Sequence, residues 1–132
     1  MNNLEPSNQT KLYGLEKYFD ELVRMYNQNI YPNKILISGQ KGIGKSTMAY
    51  HFINYVLTIS ENNRYNIKDY SIDVDSPEFK KIMNKSNTNL ITIDVNPDKK
   101  MIDINQIREL IINLNKSSFN EKPRFVFIDN IE

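Results

Sequence analysis

Apolar side chains recur along this chain at two different spacings, and each spacing predicts a kind of element. Leu15, Tyr18, Phe19, Leu22, Val23 and Tyr26 fall three or four positions apart, the period of a helix with one buried face, which predicts a helix from about Gly14 to Asn27. Met48, Ala49, Phe52, Ile53, Val56 and Leu57 repeat the pattern and predict an amphipathic helix from about Gly44 to Thr58, with His51 near its polar side as a solvated residue. Ile104, Ile107, Leu110, Ile111 and Leu114 mark a further helix, with Asp103 as its N-cap and Gln106, Arg108 and Asn113 on the other face. Three runs are short and mostly apolar, as buried parallel strands are: Lys34 to Ser38, Leu90 to Asp94 and Arg124 to Asp129. Strands alternating with helices indicate parallel βαβ construction and an α/β fold.

The segment from Ser60 to Thr88 is less patterned. Ser76, Pro77 and Glu78 start a helix there, with an N-cap, a proline in the first turn and an acid near the positive end of the dipole. Phe79 and Ile82 then face inward. Asp73 and Asp75 invite a metal reading, but the glycine and later glutamate of a calcium loop are missing, so a solvated loop is expected.

Between the first strand and the second helix the chain reads G-Q-K-G-I-G-K-S-T, from Gly39 to Thr47. This is G-x-x-x-x-G-K-[ST], the phosphate-binding loop, in the strand-to-helix setting it requires. The backbone must curl so that successive N–H groups point at a phosphate, and glycine permits that because it tolerates positive φ and carries no Cβ. The chain has only four glycines, and Gly39, Gly42 and Gly44 are three of them. Residues Gly39, Gln40, Lys41, Gly42, Ile43, Gly44, Lys45, Ser46 and Thr47 are therefore the candidate ATP contacts. Lys45 is placed to reach the β and γ phosphates and the Ser46 hydroxyl to ligate Mg²⁺, while the helix start favours an anion.

Such a loop needs a carboxylate as its partner. Phe125 to Ile128 is an apolar run ending in Asp129, and an aspartate at the end of a neighbouring strand helps hold the magnesium. ATPases of this type usually place a glutamate next, to polarise the attacking water, but here the residue is Asn130. An amide can orient a water but cannot take its proton, and general-base help is worth about 10²–10⁴-fold. Lys45, Asp129 and Asn130 are thus the candidate catalytic positions, Ser46 and Asp129 the metal positions, and slow or absent hydrolysis is expected.

Composition narrows the alternatives. A length of 132 residues suits one domain with a real core. Seventeen basic residues against sixteen acidic ones give +1, which removes any composition argument for nucleic-acid or membrane binding. There is no cysteine, hence neither a disulfide framework nor a cysteine zinc site. Apolar runs are far shorter than the roughly 18 residues of a membrane span, and the N-terminus lacks a secretory plan, so a cytoplasmic location without a membrane partner is expected.

Beyond the motifs, L-Y-G-L-E before the first helix, I-L-I-S-G-Q-K-G-I-G-K-S-T-M-A-Y around the loop, I-D-I-N-Q-I-R-E-L-I and F-V-F-I-D-N-I-E form a wider pattern. From about Leu12 to Glu132 the chain resembles the AAA+ clamp-loader subunits of bacterial DNA polymerase III, the delta-prime subunits most of all. The resemblance implies a P-loop NTPase fold of AAA+ type, a parallel sheet flanked by helices. It implies an ATP-binding subunit, with Mg²⁺, in a hetero-oligomer that loads the sliding clamp on primed DNA. It further implies that Tyr13 and Gly14 lie near the adenine and that the Arg108 helix faces DNA or a neighbouring subunit; an ordinary surface charge is the other reading of Arg108.

Relatives of this kind continue past the Asp129 strand with sensor strands, a helical lid and an oligomerising domain. Residues 1–132 are accordingly expected to be the N-terminal portion of an AAA+ nucleotide-binding domain, truncated after the Walker B strand, with lid and oligomerisation domains absent. By itself such a piece should be marginally stable, since a parallel sheet must be covered and contiguous. A P-loop kinase or other P-loop ATPase is the alternative function, because the same loop can serve as a phosphate donor site.

Overall fold

A computed structural model describes residues 6–30, 44–94, 105, 108, 109, 112 and 123–129. The chain divides into two compact units, Met1–Asn84 and Lys85–Glu132.

The described residues of the first unit form three helices, α1 (Glu16–Asn27), α2 (Lys45–Leu57) and α3 (Pro77–Met83), preceded by a 3-10 turn at Pro6–Asn8. Helix α2 is central, contacted by α1, by α3 and by the 3-10 turn. Its sequence, K-S-T-M-A-Y-H-F-I-N-Y-V-L, carries one charged residue, and Met48 and every residue from His51 to Leu57 are buried. From His51 onward the helix is buried on every side and has no face to offer water. That corrects two expectations from periodicity: α2 is not amphipathic, and His51 is not solvated but 0% exposed.

Helix α1 is amphipathic as expected, with Phe19 and Leu22 buried and Lys17, Asp20, Glu21 and Arg24 exposed. Tyr18, assigned to the buried face by spacing, is 60% exposed. Phe19 is the centre of the core. Its ring meets Tyr65 with centroids 5.1 Å apart, Tyr70 at 5.8 Å and Tyr55 at 6.3 Å. The last two are edge-on, the arrangement that ring quadrupoles favour.

Residues 60–84, poorly patterned in sequence, are organised by local hydrogen bonds. Asn66 Oδ1 accepts from the N–H groups of Lys68 and Asp69 at 3.0 and 3.1 Å, closing an Asx turn. The turn ends at Tyr70, whose φ of +53° is unusual for an aromatic residue. The Tyr70 hydroxyl donates to Asp20 Oδ2 at 2.9 Å, which ties this turn to α1. Asp73 is a turn-former as well. Its carboxylate accepts from Asp75 N–H at 2.9 Å and Asn63 Nδ2 at 3.1 Å, and among the described residues no acidic or histidine cluster could hold a metal ion. Ser76 caps α3, its Oγ accepting from Phe79 N–H at 3.4 Å with Pro77 behind it, and Phe79 and Ile82 are buried as the pattern predicts.

The N-terminal segment is strapped to the rest of the first unit. Leu12 N–H donates to the Tyr70 carbonyl at 3.0 Å, and Ile72 N–H donates to the Thr10 carbonyl at 2.8 Å.

In the second unit, β1 (Leu90–Asp94) and β2 (Phe125–Asp129) are parallel neighbours, in register from Leu90 opposite Phe125 to Asp94 opposite Asp129. Parallel neighbours need a crossover of a dozen or more residues, commonly a helix. Asn105, Arg108, Glu109 and Ile112, which lie between the two strands, are helical and exposed. The buried Asn89 fastens the start of the pair: its carbonyl accepts from Phe125 N–H at 2.7 Å and its Nδ2 donates to the Pro123 carbonyl at 3.2 Å. The expected Lys34 to Ser38 strand, Asp103 and the apolar positions 104, 107, 110, 111 and 114 lie outside the described residues. Among the described residues no helix is long and apolar enough to cross a membrane.

Candidate functional site

The phosphate-loop sequence is described from Gly44 onward. Gly44 is the N-cap of α2 with φ +93°, in the left-handed region, and no side chain caps the helix. A residue with a Cβ is strained at that φ, so the last glycine of the motif is required by the backbone. No acidic residue occupies the first turn of α2, and Lys45, Ser46 and Thr47 are half-buried. Gly44 thus opens α2 from the left-handed region, and no first-turn acid offsets the positive end of the helix dipole. Gly39, Gln40, Lys41, Gly42 and Ile43 lie outside the described residues.

Tyr13 and Gly14 sit where the strap meets α1. Tyr13 is 74% exposed, and Gly14, with φ +86°, has nothing within 4 Å of the place its Cβ would take. Leu12 and Leu15, on either side, are buried. Leu15 Cδ1 lies 3.8 Å from where a Cβ on Gly44 would stand, so the Tyr13–Gly14 step is brought to the N-terminal end of α2.

Asp129 is the last residue of β2, opposite Asp94. Both strand ends thus carry an acid at the carboxyl edge of a parallel pair, where ligands of open α/β sheets bind. Asp129 belongs to the second unit and Ser46 to the first. Asn130 lies outside the described residues, and Arg108 is exposed on its helix.

Sequence reasoning missed a buried polar network beside this site. His51 Nε2 lies 2.7 Å from the Gln9 carbonyl oxygen and Nδ1 lies 2.7 Å from the Tyr65 hydroxyl. A carbonyl only accepts, so Nε2 carries the proton and donates, which leaves Nδ1 of the neutral ring to accept from Tyr65. The Tyr65 N–H donates to Thr58 Oγ1 at 3.1 Å, and that hydroxyl donates to the Asn54 carbonyl at 2.6 Å. Burial pushes the His51 pKa down, with the Gln9 bond pulling partly back. Burial also raises the Tyr65 phenol, helped by Tyr70 and Asp20. The available signal was the near absence of charge around α2, which leaves a histidine there no wet side.

This fixes a pH dependence. His51 is the one histidine of the chain, and its folded pKa is below its unfolded value of about 6.5. Below pH 6.5 the unfolded chain takes up a proton that the folded one does not, so stability is complete above that pH and is lost as pH falls through it. The slope is at most about 1.4 kcal/mol per pH unit. Urea midpoints measured at pH 7.5 and 5.5 should fall in that order, and His51→Gln should flatten the difference.

The described elements define an α/β protein with a parallel strand pair and a P-loop-like, glycine-opened helix. The family model for DNA polymerase III, delta subunit, matches residues 14–132. The chain belongs to that family. No curated protein matches it.

Proposed function

We propose that the chain acts in DNA replication as an ATP-binding, delta-prime-like subunit of the polymerase III clamp loader, of AAA+ type. The observation that carries this reading is the family match over residues 14–132, and the left-handed Gly44 opening α2 at the end of the phosphate-loop sequence supports it. Residues 39–47 would hold the phosphates, with Lys45 on the β and γ groups, and Tyr13 and Gly14 would face the adenine. Ser46 and Asp129 would hold Mg²⁺, which neutralises phosphate charge when bound. Arg108 would face DNA or a neighbouring subunit. The partners are other clamp-loader subunits, the sliding clamp and, through the assembly, primed DNA, in the cytoplasm.

Hydrolysis is weak or absent in this reading, because Asn130 stands where a base is needed. Asn130→Glu should raise the steady-state ATPase rate by about 10²-fold, measured as phosphate release in the assembled complex. Brisk turnover by the wild type would contradict the role given to Asn130. The assignment as a whole is tested by mixing the chain with purified clamp-loader subunits and the sliding clamp. Co-elution that strengthens with ATP is expected; failure to associate, together with phosphorylation of a small acceptor, would favour a P-loop kinase.

A further inference from the structure

Residues 9–15 run beside α2 from its middle to its first turn. At one end the Gln9 carbonyl accepts from His51 Nε2 at 2.7 Å, and at the other Leu15 Cδ1 lies 3.8 Å from the Cβ position of Gly44. At 1.5 Å rise per residue, Gly44 and His51 are about 10 Å apart along the helix. Between these anchors Leu12 is buried and bonded to Tyr70, and Thr10 is bonded to Ile72. Tyr13, in contrast, is 74% exposed beside the open side of Gly14. An exposed ring next to open space near the start of α2 offers a face for a stacked purine. What holds that face in place is the backbone on either side of it.

We infer that His51 and Tyr65 are positioning residues for the base of a bound nucleotide: by fixing the Gln9 carbonyl they keep residues 9–15 along α2 and hold Tyr13 and Gly14 at its N-terminal end. This takes residues 39–47 to bind the phosphates, as proposed above. Neither side chain touches the nucleotide. Their effect is on the fraction of molecules in which the strap is docked, and that fraction scales the apparent affinity for a ligand contacting the strap. A ligand made of phosphates alone does not contact it.

The test compares ATP with inorganic tripolyphosphate, both with Mg²⁺, by isothermal titration of the full chain. His51→Phe keeps a ring in the core but can bond neither Gln9 nor Tyr65, and Tyr65→Phe removes one hydroxyl. His51→Gln can still donate to Gln9 and accept from Tyr65. His51→Phe should weaken ATP binding about tenfold and leave tripolyphosphate binding unchanged, Tyr65→Phe should act in the same direction, and His51→Gln should restore ATP binding. If His51→Phe fails to fold by circular dichroism, Tyr65→Phe decides. Equal weakening of both ligands, or unchanged ATP affinity in the folded variants, would overturn the positioning role. Lys45→Ala separates this from the underlying reading. If it leaves tripolyphosphate binding intact, or the wild type binds neither ligand, the phosphate-loop assignment falls and the positioning role with it.

Discussion

Replacing Phe19 with alanine should lower the free energy of unfolding by about 3–5 kcal/mol, as phenylalanine truncations in closed cores do. Phe19 is completely buried and its ring meets Tyr55, Tyr65 and Tyr70. Those rings come from α2 and from the 65–70 segment, so one truncation opens the joint between α1 and both. The tyrosines are held by other bonds, Tyr70 to Asp20 and Tyr65 to His51, and are poorly placed to collapse into the gap. Because domains are stable by only about 5–15 kcal/mol, the variant should be largely unfolded at moderate urea concentrations that leave the wild type intact. Urea denaturation followed by far-UV circular dichroism measures this. A loss below about 1 kcal/mol would mean that Phe19 is not the centre of the packing.

Lys45→Ala should reduce ATP affinity by about a hundredfold, since hydrogen bonds to charged groups contribute about 1.5–3 kcal/mol each and an ammonium carries three donors. Lys45 follows the left-handed Gly44 at the start of α2 and is half-buried. Alanine is a good helix former, so the fold should survive the change. Titration with a fluorescent ATP analogue reads the effect, and unchanged affinity would remove residues 39–47 from any phosphate-binding role.

Much of this fold was legible because its elements are signalled locally. β1 and β2 are mostly apolar runs whose expected bounds lie within a residue of those observed, as do those of α2. Ser76-Pro77 announced the start of α3 through capping chemistry that depends on neighbours in sequence alone. Tyr18 lies off the buried face despite its spacing, because periodicity identifies a stripe and not its width, and within α1 only Phe19 and Leu22 of that stripe are buried. His51 was misread for a different reason. Its partners are a carbonyl 42 positions earlier and a hydroxyl 14 positions later, and no local pattern encodes a bond across that distance. The Gly44 turn was legible because the motif demands it. The nearness of Leu15 to Gly44, which brings the Tyr13–Gly14 step to the start of α2, is a tertiary fact.

The bond between His51 and position 9 is made to a main-chain oxygen, a group that every amino acid supplies. That histidine therefore senses where the strand of backbone lies and is indifferent to which residue occupies it. Point changes at position 9 should pass unnoticed by the imidazole. Inserting or deleting a single residue between Gln9 and Leu12 would break the spacing between two fixed moorings, and the cost of such a slip would exceed that of most substitutions in the same stretch.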